Sequence, residues 1–346
     1  MLEFLREVGR GKKGARDLTY EQAVAAAKKI ASLEATPVQF GAFFMAERVK
    51  GEGVEELLAF THVLREHVQT GVHSPPALQG LDCVGPYDGR TRSLHVTLPA
   101  AWILGSLNVP VLLHGPRQPL PPKLGVTTYQ VLKELGLPIP TTAEGQLDFY
   151  AKLKKGFAET EAFCPPLRRV RTYREELGVR TLLNTAEKLL NVANNPYLVI
   201  GVFHTSALDK TAQLVSRLNY RKALIVKGMD GSEDLTVQRA TPAILVDSEG
   251  VRSLTLDPQD YHLQPPTGQE SLSAPAQADA IRHILHGEEH PWRDTAIWNA
   301  AIRLWLCDQV PDLTTGIEKS HTALLSGTAL ERFNEWRSSS LSGVSS

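Results

Sequence analysis

Cysteine is scarce in this chain, and what there is lies far apart. Cys83, Cys164 and Cys307 are too few and too scattered for a disulfide framework or a zinc site, so a reducing, cytoplasmic compartment is the expectation. Long apolar runs are absent too. None approaches the ~20 residues of a spanning helix, and Met1 to Glu7 lack the basic start and apolar stretch of a signal peptide, so no membrane association is expected. Neither charge sign dominates: 37 Lys and Arg stand against 38 Asp and Glu, which gives an ordinary globular balance with no bulk signal for a polyanionic partner. Aromatics make up 7% of the chain, and near its basic segments only Phe163, Tyr173 and Tyr87 are at hand, which leaves few rings for a base-stacking platform.

What is present reads as helices followed by alternating strands and helices. Thr19 and Thr36 are each followed three residues later by Gln, a capping-box pattern, and Pro37 stands at a first helical position where its missing N–H costs nothing. Leu57, Phe60, Leu64 and Val68 recur at helical spacing. Short apolar runs at 109–113, 197–203, 223–226 and 243–246 read as buried strands, and 206–218 and 295–307 as helices. The fold class expected is α/β: a small all-α lobe with a larger lobe built on a mostly parallel sheet.

The most distinctive segment is Asp82-Cys83-Val84-Gly85-Pro86-Tyr87-Asp88-Gly89-Arg90. Together with His95, Thr97 and Leu98, and with Leu113-His114-Gly115-Pro116-Arg117, it resembles the anthranilate phosphoribosyltransferase family (the nucleoside phosphorylase/phosphoribosyltransferase-like fold of glycosyltransferase family 3). That family typically reads V-G-T-G-G-D-G, then N-x-S-T, then K-H-G-N-R at this spacing. Gly85, Thr97, His114, Gly115 and Arg117 fit the pattern as a vestigial phosphate site. Pro86 and Tyr87 fall where the family keeps Thr and Gly. A diphosphate cradle needs inward backbone N–H groups and close approach, and Pro removes a donor while Tyr adds bulk.

The resemblance carries further implications. Arg174, in Arg174-Glu175-Glu176-Leu177-Gly178, sits where the family keeps an arginine that contacts the anthranilate carboxylate. Glu233 and Asp234 fall at the family's acidic magnesium pair in inverted order, and read either as Mg²⁺ ligands or as a solvated turn. The segment Gly9 to Leu18, with Ala162 to Leu167 and Leu177 to Arg180, resembles the YbiB-type branch of the fold, whose members are homodimeric and bind nucleic acid. The resemblance implies a lobe of residues 1–70 to which 165–187 returns, an α/β lobe of 71–164 and 188–337, and a homodimer through the helical lobe. A disordered tail, 338–346, is expected from its Ser-Gly composition.

Two basic clusters then carry the leading functional expectation. Residues 9–16 hold Arg10, Lys12, Lys13 and Arg16 with three glycines and no acid, and Arg168, Arg169 and Arg171 form the second cluster. Both could grip phosphates without reading bases, so the sequence predicts a DNA- or RNA-binding protein with no required cofactor and no catalytic residues. The alternative is an active phosphoribosyl- or glycosyltransferase. It would use a small phosphorylated ligand, phosphoribosyl pyrophosphate with Mg²⁺ on Glu233 and Asp234, and Arg174 at an unknown acceptor.

Overall fold

The computed structural model describes residues 1–11, 13–69, 78–266 and 272–339. Lys12 and all but the first two residues of the expected tail lie outside them; Ser338 ends a helix, Thr328–Ser338.

Four helices open the chain: α1 (Leu2–Val8), α2 (Tyr20–Ala31), α3 (Pro37–Lys50) and α4 (Val54–Glu66). Both capping boxes form. The Thr19 and Thr36 hydroxyls accept from the N–H groups of Gln22 and Gln39, whose side chains accept in return from the cap N–H groups, satisfying donors every helix start leaves orphaned. Phe43 and Phe44 of α3 meet Phe60 of α4 in stacked and edge ring contacts, and Phe40 packs edge-on against Phe44. Each buried ring contributes roughly 1.5–3 kcal/mol, and this cluster holds the helices to one another.

The larger lobe is one seven-stranded sheet in the order β3-β2-β1-β4-β5-β6-β7. Its strands are β1 (Leu81–Val84), β2 (Val111–Gly115), β3 (Lys155–Glu159), β4 (Tyr197–Gly201), β5 (Lys222–Val226), β6 (Thr241–Asp247) and β7 (Gly250–Leu256). The first five run parallel, and β6 and β7 add an antiparallel hairpin at one edge. Sequence reading misses β1, β3 and β7. A buried charge interrupts the apolar pattern in the first two, and β7 is largely exposed. Asp82 in β1 accepts from Asn195 Nδ2 at 2.7 Å, and Lys155 in β3 pairs with Glu335 at 3.0 Å. Helix α5 (Thr97–Ser106) is apolar on all sides, and its Trp102 packs edge-on against Phe333 and Trp336.

Between β3 and β4 the chain passes back along the helical lobe. Arg169 donates to Ala31 O at 2.6 Å, the Tyr173 ring lies 5.5 Å from Phe40, and Arg48 donates to Arg180 O at 2.7 Å. The stretch around Arg180 to Lys188 thereby hangs over the carboxyl ends of β1 and β4. These strands flank the point where strand order reverses, the place where open α/β sheets leave a crevice. Among the described residues no helix is long and apolar enough to cross a membrane.

Candidate functional site

A cavity of about 150 Å³ occupies that crevice. Its floor is the turn after β1, Pro86 to Asp88, and the chain leaving β4, Gly201 to Phe203; Arg180 of the returning segment and Lys188 just after that segment close it. Lys188 Nζ donates to Gly201 O at 3.3 Å and makes no ion pair among the described residues. Burial drives its ammonium down to about 8, against the attraction of nearby Asp88. Asp88 is held by Arg180 through Nε at 2.9 Å and by Lys123 at 3.2 Å. Asp230, at the cavity edge, is taken up by Arg92 at 3.1 Å and by the N–H groups of Thr91 and Arg92. The Arg180 guanidinium also lies 5.3 Å over the Phe203 ring. Arg180 and Lys188 thus meet at one crevice with Asp88, which Lys123 also holds.

The loop after β1 is built around two inward side chains. Gly89 has φ +77°, and a Cβ there would come within 2.3 Å of the Gly125 backbone. Only glycine allows this crossing, which places Arg90 N on Val126 O and turns the Arg90 side chain into the core. Its guanidinium, closed to solvent, reaches Asp234 Oδ2 at 2.5 Å and Glu233 Oε1 at 3.1 Å. Arg303 takes the other Asp234 oxygen at 2.7 Å, and the Thr97 N–H donates to Oδ2 at 2.9 Å. Burial pushes the Asp234 carboxyl up, but the two guanidinium groups overcome it and hold it below its ordinary range.

Tyr87 is likewise buried, and so cannot stack on a base. Its hydroxyl meets His114 Nδ1 at 2.6 Å, accepts from Thr160 Oγ1 at 2.8 Å and donates to Glu187 O at 3.2 Å. One hydroxyl proton cannot serve both Glu187 and His114, so His114 donates from Nδ1 and its Nε2 is left a buried acceptor without a partner among the described residues. Burial drives His114 down to about 3, so the ring is neutral. Arg174 is engaged by Glu187 in a two-bond fork. Gly85 faces Glu233 and Gly115 faces the Tyr87 ring, while Arg117 pairs with Glu159 at 2.6 Å and lies over Tyr129.

The acidic pair is therefore not a solvated turn. Nor does it fit a magnesium ion: two guanidinium groups and an N–H hold three of its four oxygens, and among the described residues no group of three or more His, Cys, Asp or Glu is arranged to hold a metal. The basic clusters are also engaged with the protein itself. Arg10 pairs with Glu7, Arg168 donates to Glu161 O, and Arg169 holds the end of α2. Arg171 pairs with Glu161 and Glu175 and donates to Gln118 O. Lys13 and Arg16 are exposed. Sequence reasoning missed Lys188 and Arg90 as site residues. Lys188 carried no motif, and Arg90 stood in a quoted one without any sign of where its side chain went.

The chain matches the glycosyl transferase family, helical bundle domain, over residues 2–68, and the glycosyl transferase family, a/b domain, over 81–330. It is 32% identical over 334 residues to an anthranilate phosphoribosyltransferase of Xanthobacter autotrophicus, covering 96% of this chain and 95% of the relative. It is also 32% identical to one of Chloroflexus aurantiacus, covering 92% and 94%. The crystal structure of anthranilate phosphoribosyltransferase from Thermus thermophilus superposes with a TM-score of 0.81 at 23% identity, over 96% of this chain and 98% of that one. The Saccharomyces cerevisiae enzyme in complex with PRPP and Mg superposes at 0.77 with 18% identity, over 97% and 96%.

These likenesses overturn the expectation of a DNA- or RNA-binding protein: the relatives matched across nearly the whole chain are small-molecule transferases, and the arginines of the second cluster brace the fold. They also remove support for the expectation that no cofactor is required, since that yeast structure carries Mg with PRPP. With the helical bundle and the α/β domain both matched, the chain belongs to the glycosyl transferase family that includes the anthranilate phosphoribosyltransferases.

Proposed function

We propose that this protein is a phosphoribosyl- or related glycosyltransferase that seats an activated, phosphorylated ribose in the crevice under Arg180 and Lys188. The observation that carries this reading is the convergence of Arg180 and Lys188 on the cavity at the carboxyl ends of β1 and β4, with Lys188 free of any ion pair among the described residues and Lys123 paired with the lining Asp88. The described residues of 1–70 and 165–187 form one wall of the working cleft, and those of 71–164 and 188–337 the other.

Transfer at a sugar C1 builds negative charge on the departing phosphate as its bond to carbon lengthens. Ammonium and guanidinium groups already fixed in a partly dehydrated crevice stabilise that charge without reorganising, which is the main way a protein lowers such a barrier. The acceptor approaches from the opposite side of the sugar ring. An acceptor carboxylate reaches Arg174 only by exchanging with Glu187, so acceptor choice is the part of the family chemistry most altered in this chain.

Calorimetry with phosphoribosyl pyrophosphate, with and without Mg²⁺, tests the donor site, and pyrophosphate release with a panel of aromatic amines tests transfer. Saturable binding weakened by Lys188→Met is expected. Absence of binding by wild type under both conditions would sink the reading. Growth without tryptophan of a strain lacking anthranilate phosphoribosyltransferase, on expression of this chain, would identify anthranilate as an acceptor.

A further inference from the structure

The place between Glu233 and Asp234 already holds a cation, and it belongs to the chain. Arg90 is closed to solvent and bonded to both carboxylates and to Leu94 O at 2.9 Å. Its position is not a rotamer choice that solvent could undo, because the Gly89 backbone crossing aims the residue inward. Asp234 has no oxygen left: Oδ1 takes Arg303, and Oδ2 takes Arg90 and the Thr97 N–H. The one oxygen of the pair without a partner among the described residues is Glu233 Oε2, facing Gly85. One free carboxylate oxygen falls far short of the roughly six oxygens at ~2.1 Å that such a divalent ion needs, and the adjacent guanidinium repels the ion.

We propose that Arg90 is the resident cation of this acidic pair, so that Glu233 and Asp234 take up no divalent metal and the cleft grips its phosphorylated ligand through lysine and arginine side chains. The first half stands on the geometry alone; the second rests on the transferase reading.

Mn²⁺ serves as the probe, followed by the loss of its free paramagnetic signal on titration into the full-length chain with no sugar phosphate present. Wild type and Glu233→Gln are expected to take up Mn²⁺ identically. Removing the guanidinium in Arg90→Ala should create one added Mn²⁺ site, which a second change, Glu233→Gln, abolishes, and Arg90→Lys should restore exclusion. Wild-type uptake that disappears in Glu233→Gln overturns the proposal, and this comparison decides even if Arg90→Ala fails to fold, because the glutamine keeps an acceptor for Arg90. Titrating phosphoribosyl pyrophosphate with Mg²⁺ into wild type and Glu233→Gln tests the second half: equal affinity is expected, and a loss beyond about tenfold overturns it. No donor binding at all would count against the transferase reading while the Mn²⁺ result stood.

Discussion

Arg174 and Glu187 meet in a buried fork, Nη1 to Oε2 at 2.6 Å and Nη2 to Oε1 at 2.8 Å. Glu187 also accepts the Tyr87 hydroxyl on its backbone carbonyl, so one residue of the returning segment fixes both the loop after β1 and the arginine of the Arg-Glu-Glu-Leu-Gly motif. Burial pushes the Glu187 carboxyl up and Arg174 opposes that push. This buried ion pair lies within the returning segment, and the Tyr87 hydroxyl on Glu187 O ties that segment to the loop after β1.

Removing one partner of such a pair leaves the other charge buried and alone. Glu187→Ala is expected to lower stability by about 3–5 kcal/mol, whereas the double change Arg174→Met with Glu187→Met should recover much of that loss. Urea unfolding of the three proteins measures it, and a double variant as unstable as the single one would contradict the ion-pair account.

Lys188 gives the crevice a pH dependence. Its ammonium, lowered to about 8 from an ordinary 10.5, is charged below pH 8 and neutral above it, so affinity for a phosphorylated ligand should fall as pH rises through 8. One charge-assisted contact is worth about 1.5–3 kcal/mol, roughly 10- to 100-fold in affinity. Phosphoribosyl pyrophosphate titrations at pH 7 and pH 9 should show this step, and Lys188→Met should bind weakly at both.

A separate site in the helical lobe sets a stability slope. Lys50 bridges Asp17 at 2.6 Å, Glu56 at 2.8 Å and Glu47 at 3.3 Å, three carboxylates for one ammonium. Burial, reinforced by Glu56, pushes the Glu47 carboxyl up to about 9. The folded state then holds a proton that the unfolded chain releases near 4.5, so this contribution is full below pH 4.5 and is lost as pH rises toward 9. Glu47→Gln should match wild type in Tm at pH 5 and exceed it at pH 9; parallel melting curves at both values check the sign.

Much of the fold was legible because its signals are local. The Thr-x-x-Gln starts at Thr19 and Thr36, the apolar runs of β2, β4, β5 and β6, and the spacing from Gly85 to His114 needed only neighbouring residues to be read. β1 and β3 were hidden because Asp82 and Lys155 look like surface residues until Asn195 and Glu335 are known to meet them. The basic clusters misled for the same reason. A row of arginines gives the number of charges but not their partners, and the partners of Arg169 and Arg171, at Ala31, Glu161 and Gln118, are distant in sequence or off the run.

By itself the sequence determined the element types, the family register and the change in the phosphate loop, because periodicity, caps and motif spacing are properties of chain order. Tertiary structure alone decided that Arg90 lies against Glu233 and Asp234, more than 140 residues away, and that Lys188 rather than the basic clusters faces the crevice. Those outcomes depend on which strand ends the parallel sheet brings side by side, and on which charges the packing then removes from water.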